Sequence, residues 1–227
     1  MRTLEEKLIK LNKSYDKLQR IYGDTSLHSI YNGGCSNNPD LCFVFMNPTS
    51  KNISSQSSWN GPHYPWLGTK NIWNLFYKLN LLDQDIYFKI KEYKPKEWTE
   101  EFSNQVYESI TNHKCFITNL GKCTQKDARP LPNYVYQEYL ELLFKEIEII
   151  DPKVIILFGN QVSSLVLNEK ISVSNSRKKL YLKKIKNKEY KFYSVYYPVG
   201  NGIFNIDKSI EDINWIIEHE LKKESRC

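Results

Sequence analysis

The sequence predicts an α/β protein: a three-layer α/β/α sandwich around a short, mainly parallel, four-stranded sheet. Three observations carry this expectation. Apolar runs at residues 41–46, 115–118 and 154–158 have strand length and show no polar alternation, as in strands covered on both faces. Segments of helical period lie between them, the alternation that builds a parallel sheet with helices on both sides. Each run ends abruptly on turn chemistry: Asn47-Pro48, Asn119-Leu-Gly and Gly159.

The elements follow in order. Residues 2–22 carry Leu4, Leu8, Leu11, Tyr15, Leu18 and Ile21 at three- and four-residue spacing, an amphipathic helix ended by Gly23. Residues 31–39, rich in Asn and Gly, read as a turn. The first strand, 41–46, stops at Pro48, which has no N–H for a ladder. A polar loop runs to Gly68. Residues 71–79 form a helix with Ile72, Leu75, Phe76 and Leu79 inward, and 100–112 form another. Strand 115–118 precedes a long helix over 133–150, which Asp151-Pro152 breaks. Strand 154–158 turns through Gly159 into a helix over roughly 160–167. The Lys-rich stretch 178–191 alternates like an exposed hairpin. The last strand, 192–197, closes on Pro198-Val-Gly-Asn-Gly202, and 206–222 is the closing helix.

Length and composition narrow the class. A chain of 227 residues suits one domain over 1–227, with 1–30 as a helical N-terminal extension. With 41% hydrophobic residues it can bury one sizeable core, and no apolar run reaches the length of a membrane span. Met1-Arg-Thr-Leu-Glu-Glu-Lys lacks the apolar centre of an export signal, so a cytoplasmic monomer is expected. The five Cys include no CxxC pair and read as reduced thiols, with no metal and no cofactor expected. A net charge of +6 is compatible with a polyanionic partner.

Three separated segments carry a resemblance. The first is Phe45-Met46-Asn47-Pro48 with the loop Gly61-Pro-His63-Tyr64-Pro65-Trp66-Leu-Gly68. The second is Ile117-Thr118-Asn119-Leu-Gly-Lys122-Cys123, followed by Arg129-Pro130. The third is Asp151-Pro-Lys153-Val-Ile-Ile-Leu-Phe-Gly159. In this order, over roughly residues 40–205, they resemble the uracil-DNA glycosylase superfamily. The first is similar to the Gly-Met-Asn-Pro motif of the single-strand-selective and mismatch-specific branches, with Phe45 in place of Gly. The second and third are similar to segments of the iron–sulfur branch. Two departures are plain. Only Cys123 fits a cluster position, and Tyr139 stands about where another Cys would be expected, so no cluster is expected. The final His-Pro-Ser motif is replaced by Tyr197-Pro198-Val199.

The resemblance implies hydrolysis of an N-glycosidic bond in DNA, single- or double-stranded, with the nucleotide flipped into a pocket. Asn47 would hold the attacking water with its amide oxygen; the bare alternative is a strand-end turn. Loss of the His leaves Tyr197 and Asn201 as the further catalytic candidates. Base-binding candidates are Met46, Pro48, Thr49, Trp66, Asn119, Tyr64 and His63. Trp66 reads either as a stacking platform or as a packing residue, Asn119 as a reader of a pyrimidine edge or as a cap, and His63 as a pocket or surface residue. Ser50, Lys51, Lys122 and Arg129 are phosphate candidates, although a lone Lys reads equally as a solvated charge. In the 197–202 loop, Gly200 and Gly202 allow close approach to DNA, and Ile203 or Phe204 is the candidate wedge. The same loop reads as a tight turn before a helix.

Relatives selective for uracil exclude a 5-substituent with a bulky residue after the first motif. Thr49 and Ser50 are small, so the expected base is uracil or a C5-modified cytosine, the latter with a role in antiviral defence. The rival is a non-catalytic DNA-binding relative. GxxxxGK[ST], GxGxxG and GxSxG are all absent, which removes the common nucleotide-binding and hydrolase alternatives.

Overall fold

Alternation along each central strand decides which helices cover which face. In the computed structural model, which describes residues 3–127 and 131–222 with Asn201 by its backbone alone, the central strands are β2 (Leu41–Phe45), β3 (Cys115–Asn119), β4 (Val154–Phe158) and β6 (Lys188–Val195). Leu41, Phe43 and Phe45 of β2 face one layer, with Ile156 and Phe158 of β4 beside them. That layer is built by α2 (Asn71–Lys78), α3 (Gln84–Glu92), α4 (Glu100–Asn112) and α8 (Ile206–Ile216). Cys42, Val44, Ile155 and Leu157 face the other, built by α1 (Leu4–Tyr22), α5 (Asn133–Ile150) and α6 (Asn160–Leu167). All five residues of β2, β3 and β4 are buried, as the unbroken apolar runs require. The three-layer α/β/α sandwich is therefore present.

The strand count is a correction. The sheet has six strands in the order β1-β3-β2-β4-β6-β5, not four. The four inner strands are parallel, while β1 (Asn32–Gly34) and β5 (Tyr181–Ile185) pair antiparallel at the edges. The β1 segment reads as a turn because it is Asn-Gly-Gly. The glycine has a packing cause: a Cβ on Gly33 would lie 2.2 Å from the Tyr107 ring. The helix α3 was not expected; its sequence is short and largely polar. The 178–191 run does form the β5–β6 hairpin.

Chain order creates a crevice. From β2 the chain crosses to β3 through α2, α3 and α4 on one face, and from β3 to β4 through α5 on the other. The connections leaving neighbouring strands β2 and β3 thus diverge, the switch point at which open α/β sheets bind ligands. Phe45 of β2 pairs in register with Asn119 of β3. Among the described residues no helix is long and apolar enough to cross a membrane.

Candidate active site

The two loops that leave the switch point are pinned to each other. Thr49 and Gln125 form a bridge, Ser50 N–H donates to Gln125 O at 2.8 Å, and the Ser50 hydroxyl to Lys126 O at 2.6 Å. Beyond them Asn52 caps a short 3-10 turn, its Oδ1 accepting from the Ser54 hydroxyl at 2.9 Å and its Nδ2 donating to Tyr64 O at 3.2 Å. These bonds hold the polar 47–56 loop as one wall of a cleft.

The cleft has a volume of about 630 Å³, and its lining includes Asn47, Pro48, Thr49, Ser50, Lys51, Trp66, Asn119, Tyr197, Val199 and Gly200, with Ile53, Gln56, Lys70, Asn71 and Pro95 among the rest. Residues from the ends of β2, β3 and β6 therefore meet at one place. Asn47 is half-buried; its Oδ1 accepts the Tyr136 hydroxyl at 2.6 Å and its Nδ2 donates to Pro48 O at 3.2 Å. Asn119 is 2% exposed, lines the cleft, and is not among the residues whose buried polar atoms lack a partner. Tyr197 lines the same cleft; burial first, then the neighbouring Tyr136, push its phenol pKa up, so it stays a neutral donor.

Trp66 sits in the left-handed region at φ 66°, an uncommon conformation for a bulky residue and one found at functional sites. The turn is closed by Thr69, whose N–H and hydroxyl both donate to Trp66 O, at 3.1 and 2.7 Å. Phe45 explains its departure from the Gly of the motif. Its ring stacks on Phe158 at 4.3 Å and meets Trp66 edge-on at 5.0 Å and Tyr197 at 6.2 Å. An aromatic floor thus supports both cleft-lining rings.

Other candidates lie elsewhere. Met46 packs into the apolar layer beside α1 and α5, not into the cleft. His63 donates from Nδ1 to Ser54 O at 2.6 Å and packs against His28 and Tyr31. Tyr64 packs on Tyr107 at 4.3 Å. Both brace the loop from behind. Lys122 needs correction as a phosphate contact: at 1% exposure it has no surface to offer. Its ammonium lies 3.1 Å from Glu146, bonds the Thr118 hydroxyl, and donates to Tyr31 O at 3.0 Å. Burial pulls its pKa down and the Glu146 carboxylate opposes that. Gly200 stands at the cleft rim, whereas Gly202 serves the chain itself: a Cβ there would lie 1.9 Å from Tyr197 O. Ile203 and Phe204 lie in the 3-10 turn Gly200–Asn205, with Phe204 90% exposed. Arg129 and the Asn201 side chain lie outside the described residues.

Among the described residues, the Cys123 environment does not suit a cluster ligand. Cys123 is packed with Tyr136 and Tyr139, and burial pushes its thiol pKa up. Among the described residues no three His, Cys, Asp or Glu side chains gather as ligands.

Two residues escape sequence reasoning. Tyr136 reads as one more inward position of α5, and Phe45 stands out only as a departure from the motif's Gly, with no role assigned to its ring. The only available signal was the excess of tyrosine on the inward face of α5, where Tyr136 and Tyr139 each bring a hydroxyl that burial penalises.

No curated protein matches the chain. The profile described as the Uracil DNA glycosylase superfamily matches residues 32–202, from β1 to the loop that closes the cleft. The match covers most of the sequence and contains every cleft-lining residue, and the chain belongs to the uracil DNA glycosylase superfamily.

Proposed function

We propose that the protein is a monofunctional DNA glycosylase that flips a modified or damaged pyrimidine out of DNA, single- or double-stranded, and hydrolyses its N-glycosidic bond. Superfamily membership supports glycosylase chemistry on DNA in general. The finer reading is carried by one observation: Asn47, Trp66, Asn119 and Tyr197 line a single cleft at the carboxyl ends of the parallel strands.

The chemistry assigns each a task. Water adds at the sugar carbon and releases one proton to solvent, the bond to the base breaks, and the base leaves with the bonding pair as an anion that then takes up a proton. Asn47 Oδ1 has two lone pairs; one accepts from Tyr136 and the other is left for the water. An Asn cannot ionise, so it positions the water without taking its proton, and slow turnover is expected. Asn119, at the cleft wall, reads the polar edge of the base. Trp66 stacks on its face, a contact worth about 1–3 kcal/mol. The Tyr197 phenol, kept protonated by burial, donates to the departing base in place of the absent His. Lys51 at the rim meets phosphate, whereas both Ser50 donors are held by Gln125 and Lys126, and exposed Phe204 enters the space the nucleotide leaves.

Small Thr49 and Ser50 and a cleft of about 630 Å³ support a base larger than uracil, within the range of about 300–1,000 Å³ that holds drug-sized ligands. A C5-modified cytosine is the base proposed on this ground, and its excision would serve antiviral defence. The test is alkali cleavage of DNA bearing uracil, hypoxanthine, mismatched thymine, or glucosylated hydroxymethylcytosine after incubation with purified protein. Strand breaks at the bulky base support the full reading. Breaks at uracil alone overturn the defence role. Binding to abasic DNA with no breaks at any base overturns the enzymatic reading in favour of a non-catalytic binder.

A further inference from the structure

We propose that Tyr136 is a positioning residue for the reaction: its buried hydroxyl fixes which face of the Asn47 amide meets the substrate water. The proposal rests on the glycosylase reading of Asn47. An Asn side chain alone rotates, and its oxygen and nitrogen are nearly the same size. Two bonds remove that ambiguity here. Pro48 O is an acceptor only, so the atom facing it at 3.2 Å must be Nδ2. The Tyr136 hydroxyl at 2.6 Å donates to the other atom, which is therefore Oδ1. The 2.6 Å separation lies at the short, strong end for an O–H···O bond. One Oδ1 lone pair remains, and Asn47 lines the cleft.

The hydroxyl is itself held in place. Tyr136 is fully buried on α5, and its oxygen accepts Leu131 N–H at 3.4 Å, leaving its proton for Asn47. The ring lies against Gly121, where a Cβ would meet its edge at 3.2 Å and the Asn47 Cβ at 3.4 Å. Gly121 N–H donates to Met46 O at 2.8 Å, which ties this contact to the exit of β2. Burial raises the Tyr136 pKa, so the orienting bond persists through the neutral and mildly alkaline range. Packing alone would be served by Phe; the hydroxyl's partner is the candidate catalytic amide.

The test compares wild type, Y136F, G121A, N47A and the double variant Y136F/N47A on a base the wild type excises. Removing the orienting bond is expected to lower kcat about 10- to 100-fold, with KM and Tm nearly unchanged. G121A, which displaces the ring, is expected to lower kcat in the same direction. In the N47A background Y136F is expected to add nothing. Unchanged kcat in both Y136F and G121A, beside an inert N47A, overturns the role of Tyr136 and leaves the glycosylase reading standing. A rise in KM without loss of kcat, or a further loss in the N47A background, also overturns it. A wild type inert on every base overturns both.

Discussion

That Asn47, Asn119 and Tyr197 would converge on one cleft was legible in the sequence, because strand ends are where such residues gather and the surrounding motifs fixed their order. Tyr136 and Lys122 were not, because their roles depend on partners far along the chain: Asn47 for one, Glu146 for the other. Glu146 was a usable sign, as it falls on the inward face of α5 beside Leu143 and Ile147, where a carboxylate needs a cation. Removing that cation strands the carboxylate. K122M is expected to cost about 3–5 kcal/mol in denaturant unfolding, and K122M/E146L distinctly less. Equal costs for the two variants would show that the pair is not coupled. His63 gives a pH dependence. Burial holds its pKa below the ordinary value, so the unfolded chain takes up the proton at higher pH than the folded one. Stability therefore falls as pH drops below about 6.5. H63Q is expected to flatten this limb of Tm against pH; an unchanged slope would assign it to other groups.

The inner strands announced themselves as elements, since a run of five buried residues has no polar position to blur it. The edges did not. The β1 strand is Asn-Gly-Gly because it passes against the Tyr107 ring, and packing at that site outweighs strand propensity. In the β5–β6 hairpin, Lys178, Lys186 and Lys191 lie 2.5, 2.6 and 2.7 Å from Glu211, Glu148 and Glu220. With Lys188 paired to Asp151, four of the seven Lys over 178–191 are engaged by carboxylates within the molecule, which makes the stretch a weaker track for phosphate. The 3-10 turn Gly200–Asn205 instead offers Phe204 to solvent beside the cleft rim. F204A is expected to slow excision from duplex DNA while leaving single-stranded excision and Tm unchanged. Equal effects on both strands' states would remove the wedge role.

At the scale of the whole molecule, the site exists because of the chain's path. The connections from β2 and β3 part to opposite faces, and the crevice between them receives Asn47 from one strand and Asn119 from the other. The β6 end then brings Tyr197 across to the same cleft. The order of the motifs foretold this meeting, but their distances in space could come only from the fold. The proposed enzymatic function turns on Asn47. The direct measurement is single-turnover excision by wild type and N47A on the base that wild type removes, at saturating protein. A loss of about 10²- to 10⁴-fold in rate, with DNA affinity retained, is the predicted result. Excision by N47A at the wild-type rate would contradict it.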